Sequence, residues 1–253
     1  MIDRYAYATK TRMVDPAHKA ALAVSVMVLC LALDKPAVGL LAALGMWGMA
    51  SCWAAIPFRV FAGVLMAEAA FLLMATVGVA ISVGTAYSRS MWGFAAGPWW
   101  VGTDRASLEL AAHLVTRALG SASALNFLAL TTPLVDLLEV MRRLRLPPLL
   151  TDVMTVVYRF TFTLLESLVR MHTAQESRLG YVNFQRGMVS AGLLAGGLFV
   201  DSCRRTSRLQ TALESRGHRG ELRVLSIHYR SDPRLYWAGA ILLGSLFFAW
   251  SLA

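Results

Sequence analysis

The sequence predicts an all-α membrane protein of about five transmembrane helices, with a cytoplasmic domain of long helices inserted before the last span. Three observations predict it. Hydrophobic residues make up 57% of the 253 and charged residues 15%, with mean hydropathy +0.56, too apolar for a surface that must be wetted throughout. Apolar runs at 20–33, 37–56, 60–87, 106–130 and 235–252 approach the ~20 residues a helix needs to cross the hydrocarbon. Basic residues are segregated, with Arg4, Lys10, Arg12 and Lys19 before the first run and fifteen arginines between Pro133 and Arg234.

The amino-terminal 19 residues mix Asp3 and Asp15 with those bases and hold no apolar core, so no cleaved signal is expected there. Pro16 suits a first helical turn, which lets span one run from about Ala17 to Leu33. Asp34-Lys35-Pro36 breaks it, and Pro57-Phe58-Arg59 breaks the second. Glu68 stands in span three with no acid or histidine partner there, and reads as a helix–helix or subunit contact. Between Ser88 and Asp104, Trp92, Trp99 and Trp100 suit the headgroup layer, which places that loop at one membrane face. In span four Glu109, His113 and Arg117 lie four apart on one face. They can pair in sequence, and read as a polar edge snorkelling at the outer end.

Lys and Arg collect on the cytoplasmic side of membrane proteins. Four spans, an even number, separate the two basic segments, so both lie inside, with the Trp loop and Ala253 outside. The expected organisation is a four-span membrane region at 1–132, a cytoplasmic region at 133–234 and a last span at 235–253, multi-pass in a prokaryotic inner (plasma) membrane. The net charge of +9 then follows from insertion and does not call for nucleic acid as a partner. Two stretches of the cytoplasmic region are apolar. Residues 149–169 read as an amphipathic helix, packed or lying at the interface, because Asp152, Arg159 and Glu166 recur every seven residues along one face. Residues 188–200 are short for a span and read as a buried core helix. Pro147-Pro148 marks a turn after a helix carrying Arg142, Arg143 and Arg145.

Cys30, Cys52 and Cys203 are scattered and read as small buried residues. His18, His172, His218 and His228 lack ligand spacing, so neither a metal site nor a cofactor is expected in this chain. No nucleophile–base pair stands out, and the GxxxxGK[ST] phosphate loop is missing from the sequence.

One pattern occurs twice in the basic region: Ala174-Gln175-Glu176-Ser177-Arg178-Leu179-Gly180 and Ala212-Leu213-Glu214-Ser215-Arg216-Gly217. Each copy ends a helical stretch, with Gly180 and Gly217 at the position of a C-cap glycine. An arginine there is favoured by the negative end of the helix, which is sufficient reason for either copy alone. The planar guanidinium is also free to clasp a carboxylate on another chain, and the small Ser and Ala beside it allow close approach. Two matching copies point to a paired docking surface.

Together with these copies, Asp15-Pro16-Ala17-His18-Lys19, Thr131-Thr132-Pro133 with Asp136, Leu144-Arg145-Leu146-Pro147 and Tyr158-Arg159-Phe160 make nearly the whole chain resemble one family. It is the transmembrane T-component of energy-coupling factor (ECF) transporters, in its cobalt-type CbiQ branch. The family's motifs resemble Ala-Arg-Gly; this chain has Ser177-Arg178-Leu179 and Ser215-Arg216-Gly217, keeping the central arginine in both. The resemblance implies a non-catalytic scaffold for an ABC-type importer of cobalt. Ala174, Glu176, Ser177, Arg178 and Leu179 on one coupling helix, and Ala212, Glu214, Ser215, Arg216 and Gly217 on the next, would dock two cytoplasmic ATP-binding subunits, which hold the ATP and Mg. The spans would hold a cobalt-type substrate-binding membrane subunit within the lipid bilayer. The alternative is a self-sufficient secondary transporter, which would show the repeated halves common in such proteins; here spans cluster in the first half and basic helices in the second.

Overall fold

A computed structural model gives the fold and describes residues 6, 7, 9, 11–33, 35–80, 82–84, 92–96, 99–217 and 229–252. Among them the elements run α1 (Pro16–Ala32), α2 (Pro36–Cys52), α3 (Phe58–Ala80), β1 (Ser82–Gly84), β2 (Trp92–Ala96), β3 (Trp99–Thr103), α4 (Arg105–Thr131), α5 (Leu134–Arg143), α6 (Pro148–Glu176), α7 (Phe184–Ser215) and α8 (Pro233–Leu252). The protein is an all-α membrane protein with one small sheet. Two compact units divide the chain: Met1–Leu137 with His228–Ala253, and Leu138–Ile227.

In the first unit, Pro16 and Pro36 open α1 and α2 at positions where no helical N–H is required, and Asp15 accepts the Ala17 N–H at 3.0 Å as a side-chain cap. Each helix has 17 residues, roughly 25 Å at 1.5 Å per residue, a little under the hydrocarbon thickness. Leu22, Val26 and Cys30 recur every fourth residue on α1 and pack with Val38, Ala42 and Met46 of α2, Phe127 of α4 and Leu242 and Leu246 of α8. The α2 and α4 backbones touch: a Cβ on Gly39 would lie 2.2 Å from the Thr116 carbonyl oxygen, and one on Gly120 2.8 Å from that of Gly39. Only glycine permits that approach.

Side chains singled out in the sequence converge at one place in this unit. Lys19 is 1% exposed, and its Nζ donates to the carbonyls of Thr11 (2.6 Å) and Thr131 (3.2 Å), with the Asp136 and Asp15 carboxylates near enough to act on its charge. Tyr229 donates to Asp136 at 3.0 Å, Arg230 pairs with Val14 through the backbone, and Trp53 donates its indole N–H to Asp232 at 3.0 Å. Lys19, counted in the sequence only as one of four bases before the first span, is therefore a structural tie.

Helix α3 ends at Ala80, short of the expected residue 87, and the chain enters a strand at Ser82. The expected Trp loop contributes β2 and β3, in an antiparallel sheet of order β1-β3-β2 with Val83 and Phe94 both opposite Val101. Residues 85–91 and the headgroup placement of the three tryptophan side chains lie outside what is described. Alternation was too short there to announce strands. Glu68 accepts the Asn126 amide N–H at 2.8 Å, the helix–helix contact expected of it, now with its α4 partner identified. The members of the span-four stack also have partners outside it. Glu109 takes Arg105 at 3.2 Å, and Arg117 reaches the Leu31 carbonyl at 2.8 Å, because an i,i+4 partner nearer the helix start and a neighbouring helix end are both within reach.

In the second unit, α5 closes with Arg145 at φ +61°, its N–H on the Arg142 carbonyl and that of Leu146 on Met141, and Pro147-Pro148 then starts α6. Helix α6, 29 residues, is long and apolar enough by itself to cross a membrane. The charged stripe expected along it lies on this one helix and is unevenly covered: Asp152 is buried in an ion pair with Arg142 at 2.9 Å, while Arg159 and Glu166 are exposed. Residues 188–200 do not form a separate buried core helix. They are part of the 32-residue α7, where Ser190 is the buried residue and Met188, Leu193 and Phe199 are exposed. Of the cysteines, Cys30 is buried as expected, and Cys52 and Cys203 are exposed.

Candidate docking site

Helices α6 and α7 carry the two repeat copies at their C-terminal ends, and the copies share one local geometry. Ser177 Oγ donates to the Ala174 carbonyl at 3.0 Å, and Ser215 Oγ donates to that of Ala212 at 3.0 Å. Each hydroxyl is thus bonded to its own helix while its residue stays exposed. The residue after each arginine is left-handed, Leu179 at φ +60° and Gly217 at φ +72°. In the first copy the Leu179 N–H reaches the Glu176 carbonyl at 2.9 Å and the Gly180 N–H that of Gln175 at 2.9 Å; in the second the Gly217 N–H reaches Glu214 at 3.0 Å. These bonds close the helix ends and aim the chain away from the axis.

The expected C-cap glycine is therefore correct for Gly217 and displaced for Gly180. The left-handed position of the first copy belongs to Leu179, where a side chain costs about 1–2 kcal/mol. Gly180 follows it because its backbone packs too closely for a Cβ, which would meet Ser190 Oγ at 2.8 Å and the Gln175 carbonyl at 2.9 Å.

Arg178 and Arg216 are exposed and have no ion-pair or hydrogen-bond partner among the described residues. Neither guanidinium caps a helix carbonyl. The acids of the motif are otherwise engaged, Glu176 with His172 at 3.7 Å and Glu214 with the Gln210 amide at 2.9 Å. Ala174, Glu176, Ser177, Leu179, Ala212, Glu214 and Ser215 are exposed with them. Each copy thus presents, on a closed helix end beside small residues, a guanidinium without a partner among the described residues.

Sequence reasoning missed what holds the two helices together. Ser167, 3% exposed, donates to Asp201 Oδ2 at 3.0 Å and accepts from Arg170 and Arg205, each at 3.1 Å, while Arg205 Nε also meets Asp201 at 2.9 Å. The Arg205 hydrogen bond, then the Ser167 hydroxyl and the nearby positive charges, hold the Asp201 carboxyl below its ordinary range. The available signal was Asp201 itself, the lone acid where α7 passes from an apolar to a basic stretch. No group of three or more potential metal-ligating side chains occurs among the described residues.

Residues 9–226 match the CbiQ cobalt transport protein family. The cobalt transport protein CbiQ of Salmonella typhimurium is 28% identical, covering 88% of this chain and 99% of its own length. That of Rhodobacter capsulatus is 33% identical over 71% of this chain and 68% of its own. A protein of Methanocorpusculum labreanum whose name describes a fused cobalt transport protein, CbiMQ, is 32% identical over 45% of this chain and 19% of its own length. These relatives are named as transport proteins and not as enzymes. With a match across most of its length, the chain belongs to the CbiQ cobalt transport protein family.

Proposed function

We propose that the chain is the transmembrane coupling subunit of an ATP-driven ECF importer of cobalt ions, seated in a prokaryotic inner membrane with its amino terminus and residues 133–234 in the cytoplasm. Two cytoplasmic ATP-binding subunits, carrying the ATP and Mg, grip the ends of α6 and α7, and their movement passes along these helices to a substrate-binding membrane subunit. The observation that carries the reading is the duplicated helix end, with the same serine back-bond, the same left-handed step and, in each copy, an exposed arginine without a partner among the described residues. A cap role alone does not require both guanidinium groups to remain unbonded. The fused relative, whose name joins a second cobalt transport component to this one, supports a membrane partner.

The test is Arg178→Glu and Arg216→Glu, alone and together, read out by cobalt uptake, chain abundance in the membrane and retention of the ATP-binding subunits on purification. A guanidinium that meets a buried carboxylate contributes on the order of 2 to 5 kcal/mol of association. A helix cap contributes about 0.3 to 1 kcal/mol of local stability. The double variant is expected at normal abundance, without uptake and without bound ATP-binding subunits, because loss of one anchor also removes the effective concentration it gave the other. Uptake and retention at wild-type level in the double variant would overturn the docking role, and collapse of abundance in a single variant would make that arginine structural.

A further inference from the structure

The contact between α3 and α4 in the first unit holds a carboxyl group in the middle of a membrane-length helix. Glu68 stands ten residues beyond Phe58 and twelve short of Ala80, the two ends of α3. At 1.5 Å per residue that is roughly 15 Å from one end and 18 Å from the other, the centre of a hydrocarbon layer about 30 Å thick. Glu68 and Asn126 are both only half-buried there. Among the described residues only the Asn126 amide bonds to the Glu68 carboxyl, at Oε2, and Oε1 has no donor. Helix α3 is also sparsely covered: Phe61 is its one buried residue among those described, against seven on α4.

The helical period places Glu68 at the border of the covered stripe of α3, which runs through Phe61, Leu65 and Leu72. Beyond that border Phe71, Ala75 and Gly78 are all exposed, and a Cβ on Gly78 would meet nothing within 4 Å. On α4, Ala122 and Ala129 lie one turn to either side of Asn126, half-buried and exposed respectively. The polar pair is therefore flanked on both helices by small side chains, the surface that lets another helix come close in a bilayer. Met66, two residues before Glu68 and 72% exposed, is on the opposite side of α3.

We infer that this flank of α3 and α4 is where the substrate-binding membrane subunit meets the chain, through a transmembrane helix that brings a hydrogen-bond donor to Glu68 Oε1. This rests on the reading above that the chain works with such a subunit, and the relative whose name describes a fused CbiMQ supports a partner in the same bilayer. Chemistry selects the occupant. An acid at mid-membrane is costly unless it is covered and paired, and lipid chains offer no donor. A second copy docking by the same flank would set carboxyl against carboxyl across a two-fold axis, which is disfavoured. A helix with a hydroxyl, amide or basic side chain at that depth satisfies the open oxygen, and the alanines and Gly78 give it room.

The experiment co-expresses the tagged full chain with its ATP-binding and substrate-binding membrane subunits and measures how much of each stays bound in lipid nanodiscs, with a thermal midpoint for the chain alone. Glu68→Leu combined with Asn126→Leu removes both polar partners, so the chain alone is expected to melt at or above the wild-type midpoint. Retention of the membrane subunit is nevertheless expected to fall about threefold to tenfold, with the ATP-binding subunits retained as in wild type. A tie internal to the chain gives the reverse, a lower midpoint and full retention, and would overturn the inference. Ala75→Trp and Ala129→Trp fill the flank without removing the hydrogen bond and are expected to lose the membrane subunit at least as strongly, while Met66→Trp keeps it. These two tryptophan variants decide the matter if the double leucine variant does not accumulate. Full retention in both, or equal loss from Met66→Trp, would remove the partner from this flank and leave the coupling reading standing. Dimerisation of the chain alone that the same variants abolish would give the flank to a second copy and overturn the inference. If the wild-type chain retains its ATP-binding subunits and no membrane subunit, the coupling reading itself falls.

Discussion

The two units of the chain are built on opposite plans. In the first, apolar side chains from four helices are removed from their surroundings altogether: Val26, Ala42, Met46, Phe127 and Leu246 are each 0% exposed. In the second, the buried residues of α6 are Thr151, Asp152 and Ser167, that of α7 is Ser190, and every one is polar. Leu165, Leu193 and Phe199 of the same helices are half exposed or more. The first unit is held by fit, and α6 and α7 are held to each other by hydrogen bonds and ion pairs at a few points. Helices that leave their apolar faces open require lipid or protein to cover them. A pair tied at a few polar points can also pivot, which a close-packed core resists. The first unit is therefore closed by its own packing, and the second leaves surface for other molecules to cover.

The sharpest break of this comparison is a methyl or larger group at the α2–α4 crossing. Gly39→Val places carbon 2.2 Å from the Thr116 carbonyl, a backbone atom that cannot swing aside. The expected cost is about 3 kcal/mol or more, seen as loss of folded protein from the membrane fraction. Normal abundance and melting of Gly39→Val would show that the first unit is not packed by fit.

A smaller effect is expected from the polar clamp between α6 and α7. Ser167→Ala removes the hydroxyl that bridges Asp201, Arg170 and Arg205, at a cost of about 1–3 kcal/mol in the α6–α7 pairing. Hydrogen exchange along both helices measures it, with the first unit's protection as the unchanged control. The pH dependence follows from Asp201, whose carboxyl is held below its ordinary value of 3.8. A depressed carboxyl stabilises the folded pairing above its unfolded pKa, and that contribution disappears as pH falls through the folded value. Protection of α6 and α7 is therefore expected to be flat from neutral pH to about pH 5 and to fall below about pH 4. A decline between pH 8 and 6 would assign the pairing to another group.

The first unit was largely legible in the sequence because its elements are punctuated by proline and filled by apolar runs, and the structure follows those signals to within a few residues at Pro16, Pro36 and Thr131. The arginine ends were legible as a repeat. What was not legible depends on contacts between segments distant in sequence. Lys19 is in the sequence only one of four bases before the first span, and its burial depends on the Thr131 carbonyl 112 residues away. The seven-residue recurrence of Asp152, Arg159 and Glu166 reads as one face and is one on the continuous α6, but its first member is buried because Arg142 of another helix pairs with it. Residues 188–200 were cut off as a short helix by hydropathy, although the helix continues through Asp201 into a basic stretch, as helices do when side chains change and backbone propensity does not. The left-handed step at Leu179 could not be foreseen, since a glycine one residue later offered the ordinary solution.

The smallest expected effect sharpens the comparison from the other side. Gly192 and Gly196 lie one turn apart on α7, in the spacing that elsewhere brings helices into contact, yet a Cβ on either would meet nothing within 4 Å. Glycine in a helix interior is destabilising by roughly 0.5–1 kcal/mol relative to alanine. Where no neighbour is displaced, Gly192→Ala and Gly196→Ala are each expected to stabilise α7 by about that amount, read as slower hydrogen exchange along residues 188–200 of the purified chain. The sign decides the matter, because the same substitution at Gly39 or Gly120 is opposed by backbone atoms closer than a Cβ tolerates. Faster exchange in either α7 variant would mean that this face is already pressed against something in the isolated chain, and the contrast between a closed first unit and an open α7 would fail.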